Sequence, residues 1–264
     1  MGNIISSQIF FSNYQTQQQI MSELLEAFAK NSSSMSFLVL GPLLQVLSGV
    51  LLHMDPPLSL LHKSYSARHK WRITFTARLS AAITGVWALY LLSKSRSLRS
   101  DLMFTSSAQA KHLVLFSLGV HLAEAADLIL HTKPNMLLLH HLMVIICFSG
   151  SLHKKRAVGF AVLSLVTELN AVFNKTRILH IINGIDKGSL EYRMIAILNI
   201  LTFTIRIIII GWMNNKCFSY VNILPHSFLV PCIIGLSIVN VWNFSVFRTL
   251  MKKDLFGKLR TGSL

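Results

Sequence analysis

The feature that most limits this chain is a series of apolar stretches separated by short polar connections. Each is roughly 20 residues long, which at ~1.5 Å of helical rise per residue covers a hydrocarbon core about 30 Å thick. Seven are read, over 36–54, 73–93, 112–131, 134–152, 156–173, 194–213 and 227–249. The first is the weakest, since it carries Pro42, Gln45 and Gly49. Backbone groups inside a bilayer must find their hydrogen bonds within the segment, so spans of this length are helices. The expected fold is therefore all-α: a polytopic membrane protein, with a tight connection at Lys133-Pro134 pairing the third and fourth spans. Residues 1–35 form a polar N-terminal segment with no secretory signal, 36–54 an extra transmembrane helix, 65–250 the membrane domain and 251–264 a basic tail. A short interfacial helix is expected within 174–193, ended by Gly184 and Gly188.

The formal net charge is +15. Most Lys and Arg residues lie in the short connections, where they orient spans and meet anionic headgroups. No soluble module is left to enter a nucleic-acid groove, so nucleic acid is not an expected partner. The connections at 55–72, 132–134 and 174–193, together with the tail, hold the larger share of positive charge. That bias predicts a cytosolic C-terminus and a lumenal N-terminus. Met1-Gly2-Asn3-Ile4-Ile5-Ser6 also fits a myristoylation pattern, which demands the opposite N-terminal side; the charge distribution is preferred. Sequons begin at Asn31 and Asn174, the second on the side predicted to be cytosolic. Cys147, Cys217 and Cys232 show no metal-ligand spacing.

Against this apolar background the ionisable residues stand out, because charge at bilayer depth is costly and is by default a functional-site hypothesis. His140 and His141 are adjacent within Leu137–Ile146, and about 100° per residue sends them to different parts of the circumference. His121, Glu124 and Asp127 recur every three residues in the third span and share one broad face. Asn170, Asn174 and Arg177 fall on one face of the fifth, with Glu168 offset. Arg78 lies in the second span, and Asn199 and Arg206 in the sixth. Glu124, Asp127 and Glu168 are expected to face Arg78 and Arg206, as paired charges inside the bundle. Such a network can be polar glue that fixes helix arrangement. Alternatively, an imidazole beside a carboxylate can take a proton from an attacking hydroxyl or amine. Adjacent histidines supply too few well-directed ligands for a metal, and none is expected there.

Several of these residues occur in an order that resembles the TLC-domain family of ceramide synthases, translocating-chain-associated proteins and neuronal ceroid-lipofuscinosis protein 8. They are Trp71 with Arg78, Gly85-Val86-Trp87-Ala88-Leu89, Val120-His121-Leu122, His140-His141-Leu142, Glu168 with Phe173, and Arg206. Leu224-Pro225-His226 and Lys252-Lys253 resemble the lipofuscinosis branch. The resemblance implies a six-helix barrel-like bundle in the endoplasmic reticulum membrane, here with one extra helix before it. In ceramide synthases the paired histidines join an acyl-CoA to a sphingoid base, but Met143 stands where those enzymes carry threonine.

Two functions stay open. One is acyl transfer to a phospholipid or sphingoid-type lipid, with acyl-CoA as co-substrate and no bound cofactor. His140 or His141 would then be the base, Glu124 or Asp127 its orienting carboxylate. Arg78, His121, Glu168, Asn174 and Arg206 would contact substrate. The other is non-enzymatic: lipid sensing, or export of lysosomal enzyme cargo from the endoplasmic reticulum.

Overall fold

The computed structural model describes residues 32–54, 64–131 and 136–255. The myristoylation pattern, the first residue of the Asn31 sequon, the Lys133-Pro134 connection and the tail beyond residue 255 lie outside the described residues. All regular structure within them is helical: α1 Ser32–Met54, α2 Tyr65–Lys94, α3 Arg96–Ser100, α4 Ala108–His131, α5 Met136–Lys154, α6 Val158–Val166, α7 Glu168–Asn183, α8 Leu190–Phe218 and α9 His226–Leu250. A π-helical turn, Met251–Leu255, closes the described chain.

Among the described residues, five helices are long and apolar enough to cross a membrane: α2, α4, α5, α8 and α9 with its final turn. The seven spans read from sequence differ from this at two places. In α1 the described run Met35–Leu44 is apolar but shorter than a span. The stretch read as one span over 156–173 is two helices, and the second continues to Asn183. Residues 174–183 are thus the last part of α7 rather than a separate interfacial helix. Gly184 does terminate it, with φ +79°, while the Ile185 N–H donates to the His180 carbonyl at 3.0 Å.

The break at Thr167 needs no proline. Ser164 Oγ donates to the Ala161 carbonyl at 2.7 Å and Thr167 Oγ1 to the Ser164 carbonyl at 2.6 Å. Side chains that bond back onto the preceding turn compete with the helical ladder and bend it. Glu168 follows immediately.

Helix contacts close a ring in the order α2, α4, α5, α9, α8, α7 and back to α2. This is a six-stave barrel, as the family resemblance implies. The short α6 touches α2, α4, α5 and α8, so it fills one end of the ring. It is apolar on all sides, and Val158, Phe160, Ala161, Val162 and Leu165 are buried. Its first turn is capped by the loop before α4: the Ala157 and Phe160 N–H groups donate to the Met103 and Leu102 carbonyls at 2.6 and 3.2 Å. That loop is held by Asp101 Oδ1, which accepts from the Met103 and Phe104 N–H groups at 3.0 Å each.

Outside the ring, α1 packs against α4 and α2. The α1–α4 crossing depends on two glycines. A Cβ at Gly41 would lie 2.7 Å from the Phe116 carbonyl oxygen, and one at Gly119 would overlap the Leu38 carbonyl. Small residues let membrane helices approach to backbone contact, where packing replaces the missing hydrophobic drive.

Candidate functional site

The interior of the barrel is divided by polarity. At the end where α2 begins and α9 finishes lies a polar cavity of about 250 Å³. On α2 its wall is Ala77, Ser80, Ala81 and Thr84, the i, i+3, i+4, i+7 stripe of one helix face. The Ser80 and Thr84 hydroxyls donate to carbonyls of their own helix, at 3.1 and 2.9 Å for the i−4 partners, so they present little unsatisfied polarity. The chemistry comes from the facing staves. These contribute His121 and Glu124 from α4, His140 and His141 from α5, Glu168, Asn170, Asn174 and Lys175 from α7, Arg206 from α8, and Trp242 and Asn243 from α9.

Three imidazoles cluster there, with ring centroids 5.3 Å apart for His121 and His141, 5.6 Å for His140 and His141, and 6.5 Å for His121 and His140. His121 Nδ1 donates to the Ser117 carbonyl at 2.8 Å. A carbonyl only accepts, so that nitrogen carries the proton and Nε2 keeps its lone pair. His141 Nε2 lies 3.5 Å from Glu124 Oε2. A carboxylate at this position favours Nε2–H and leaves Nδ1 as the basic atom. His140 leans toward Trp242, with centroids 5.3 Å apart. Arg206 Nη1 approaches Glu168 Oε1 at 3.9 Å. Asn170 Nδ2 donates to the Asn199 carbonyl and side-chain oxygen, each at 3.1 Å, tying α7 to α8 beside the cavity.

Toward the other end, against a shared wall, lies an apolar chamber of about 110 Å³. Methionines 103, 143 and 213, Phe148, Phe160 and Leu229 line it, and all three cysteines face it. His121, His140, Glu168 and Arg206 line both chambers and form the junction.

Seven of the nine residues singled out from sequence therefore converge on one cavity: His121, Glu124, His140, His141, Glu168, Asn174 and Arg206. Two do not. Asp127 pairs with His69 and His131 at 3.7 and 3.0 Å, in a groove on the outer side of α4. The physical reason is rotation: positions six apart are turned by about 120°, so a triad spaced by three residues drifts off one face. Arg78 lies one residue past the α2 stripe and stacks its guanidinium over Phe75 at 4.7 Å. The expected facing of Asp127 and Arg78 into a common charge network does not occur. Arg177, expected on the Asn170 face, reaches beyond the cavity to Asp254.

Sequence reasoning passed over Lys175, Trp242 and Asn243. Lys175 was visible only as the middle of a sequon. Asn243 lies in an apolar run with Asn240 three residues before it, a signal of the same kind as His140-His141. Asn174 lines the cavity, so its side chain faces the barrel interior.

A family model described as the TLC domain matches residues 70–252. The chain belongs to the TLC-domain family. Among its relatives, TLC domain-containing protein 2 of Danio rerio is 30% identical over 199 residues, which is 74% of this chain and 80% of that protein. TLC domain-containing protein 1 of Gallus gallus is 25% identical over 199 residues, covering 74% and 78%. TLC domain-containing protein 2 of Mus musculus is 27% identical over 197 residues, covering 73% of this chain and 63% of that longer relative. This chain is thus an all-α, multi-pass membrane protein of a lipid-related family.

Proposed function

We propose that the barrel is a lipid acyltransferase of the endoplasmic reticulum membrane, using acyl-CoA to acylate a phospholipid or sphingoid-type lipid. The observation that carries this reading is a set of buried polar atoms in the polar cavity without hydrogen-bond partners: His140 Nδ1, His141 Nδ1, Arg206 Nε and Asn243 Nδ2. Buried polar groups in proteins are nearly always satisfied, and a cluster of exceptions facing one cavity is accounted for by a polar occupant. The adjoining apolar chamber suits a hydrocarbon chain, so the cavity as a whole fits an amphiphile.

His141 is the base. With Glu124 holding Nε2–H, Nδ1 accepts the proton of the acceptor's hydroxyl or amine as that atom attacks the thioester carbonyl. The new C–O or C–N bond forms, the C–S bond breaks, and the departing thiolate takes the proton back from the imidazolium. Arg206 and Lys175 supply the positive charge that a phosphate or the developing oxyanion requires. The excess of Lys and Arg at the α9 end supports a cytosolic face for the polar cavity.

The test is lipidomic. Cells lacking the protein are rescued at matched expression with wild type, His141→Ala, Glu124→Gln or Arg78→Gln. Wild type and Arg78→Gln should restore one acyl-lipid class, while His141→Ala and Glu124→Gln should not. Full rescue by His141→Ala removes the chemistry and leaves a lipid-sensing protein.

A further inference from the structure

We propose that His69, Asp127 and His131 form a divalent transition-metal site, suited to zinc, that clasps the start of α2 to the end of α4. The site is separate from the histidine cluster inside the barrel and stands on different observations. One ligand atom from each of the three side chains lies within 4.8 Å of the other two. Asp127 Oδ1 is 3.7 Å from His69 Nε2 and 3.0 Å from His131 Nδ1. Zinc bonds of about 2.1 Å in a tetrahedron set ligand atoms roughly 3.4 Å apart, so the two Asp127–imidazole spacings need shifts of only a few tenths of an ångström.

The second observation is His69 Nε2. It is buried and has no hydrogen-bond partner among the described residues. An imidazole nitrogen turned inward toward a carboxylate, yet too far from it for a hydrogen bond, is accounted for by an atom between the two. Ring contacts help to hold the imidazoles: the His69 and His131 centroids are 4.6 Å apart with the planes tilted by 48°, and Tyr65 lies nearly parallel to His69 at 6.1 Å. Asp127 and His131 are one turn apart on α4, the i, i+4 spacing that places two ligands on one helix face, and His69 comes from α2. His131 Nδ1 also lies 3.1 Å from the Asp127 carbonyl, and that hydrogen bond would give way to the metal.

Ligand chemistry selects the class of ion. Two imidazoles and one carboxylate suit zinc, cobalt or nickel, whereas magnesium and calcium demand oxygen shells that these residues do not offer. Three protein ligands leave a fourth position free. It faces a groove of about 310 Å³ lined by Pro42, Arg72, Ile73 and Thr76, among others, so water or an anion can complete the sphere. His131 is 47% exposed, which gives an ion a route from solvent.

The experiment uses the purified full chain in detergent, freed of any histidine tag and stripped with chelator, then titrated with cobalt(II). Wild type should develop the visible absorption of tetrahedral cobalt at one equivalent, and zinc should bleach it. His69→Ala/His131→Ala should weaken binding at least tenfold, a typical cost of lost ligation, while His140→Ala/His141→Ala keeps the spectrum. If the double variant is not monodisperse, Asp127→Asn replaces it and should show the same loss. No cobalt spectrum in the wild type overturns the proposal. So does a spectrum that disappears with His140→Ala/His141→Ala and survives the loss of His69 and His131. Because the readout is metal absorption, neither result depends on acyl transfer.

Discussion

Arg177 and Asp254 meet through two parallel contacts, Nε to Oδ2 at 2.6 Å and Nη2 to Oδ1 at 2.7 Å, with the carboxylate only 1% exposed. Tyr192 completes the arrangement, its hydroxyl donating to Asp254 Oδ1 at 3.2 Å. The π-helical turn after α9 is thereby fastened to α7 and α8 beside the polar cavity. The Nη2–Oδ1 contact is a charge-assisted hydrogen bond and the Nε–Oδ2 contact a close ion pair, a combination among the stronger protein contacts.

Removing one member strands the other. Asp254→Asn should lower stability by about 3–5 kcal/mol, the usual cost of an uncompensated buried charge. The double variant Arg177→Met/Asp254→Leu should recover most of that loss. Thermal unfolding in detergent, read by tryptophan emission, decides it; equal losses in both would show that the pair is not the source.

The α1–α4 crossing gives a second outcome. Gly119→Val should be strongly destabilising, beyond the ~1–3 kcal/mol typical of overpacking, since its side chain meets backbone that cannot step aside. Gly150→Ala should be nearly silent, because its nearest neighbour is a Phe228 ring carbon at 3.8 Å. Monodispersity on size exclusion distinguishes the two.

Arg206→Ala and Arg96→Ala remove the same charge from different settings. Arg206 is 8% exposed beside Glu168, whereas Arg96 is a surface residue of α3. The first should reduce expression of folded protein several-fold, and the second should change stability by no more than about 0.5 kcal/mol. Matched thermal melts would expose any equivalence.

Gly235 borders the apolar chamber, and a Cβ there would sit 3.5 Å from Cys147 Sγ. Gly235→Ala should therefore be accommodated, while Gly235→Phe should occupy the chamber. On the acyltransferase reading, the bulkier variant shifts product toward shorter chains, measurable by mass spectrometry of the rescued lipid class.

Most of the barrel and much of the cavity were legible in the sequence, for a reason specific to membranes. Polar residues such as His140, His141, Glu124 and Arg206 cannot be spent on lipid-facing positions, so their presence already implied an interior. Legibility failed where rotation or tertiary contact decides. Asp127 obeys the same three-residue spacing as Glu124, yet the accumulated turn carries it to the outer groove, where His69 meets it from α2. Arg177 shares a projected face with Asn170 but lies two turns further along, within reach of an aspartate 77 residues away in sequence. The break at Thr167 left no glycine or proline to read; it arises from hydroxyls bonding to their own helix.

The separation of polar and apolar space along the barrel axis gives the interior a direction of its own. Imidazoles, amides and charges gather toward one membrane face, sulfur and hydrocarbon toward the other, and only His121, His140, Glu168 and Arg206 belong to both. A symmetrical apolar molecule would find half of that space hostile. A molecule with a head and a tail has only one way round in it.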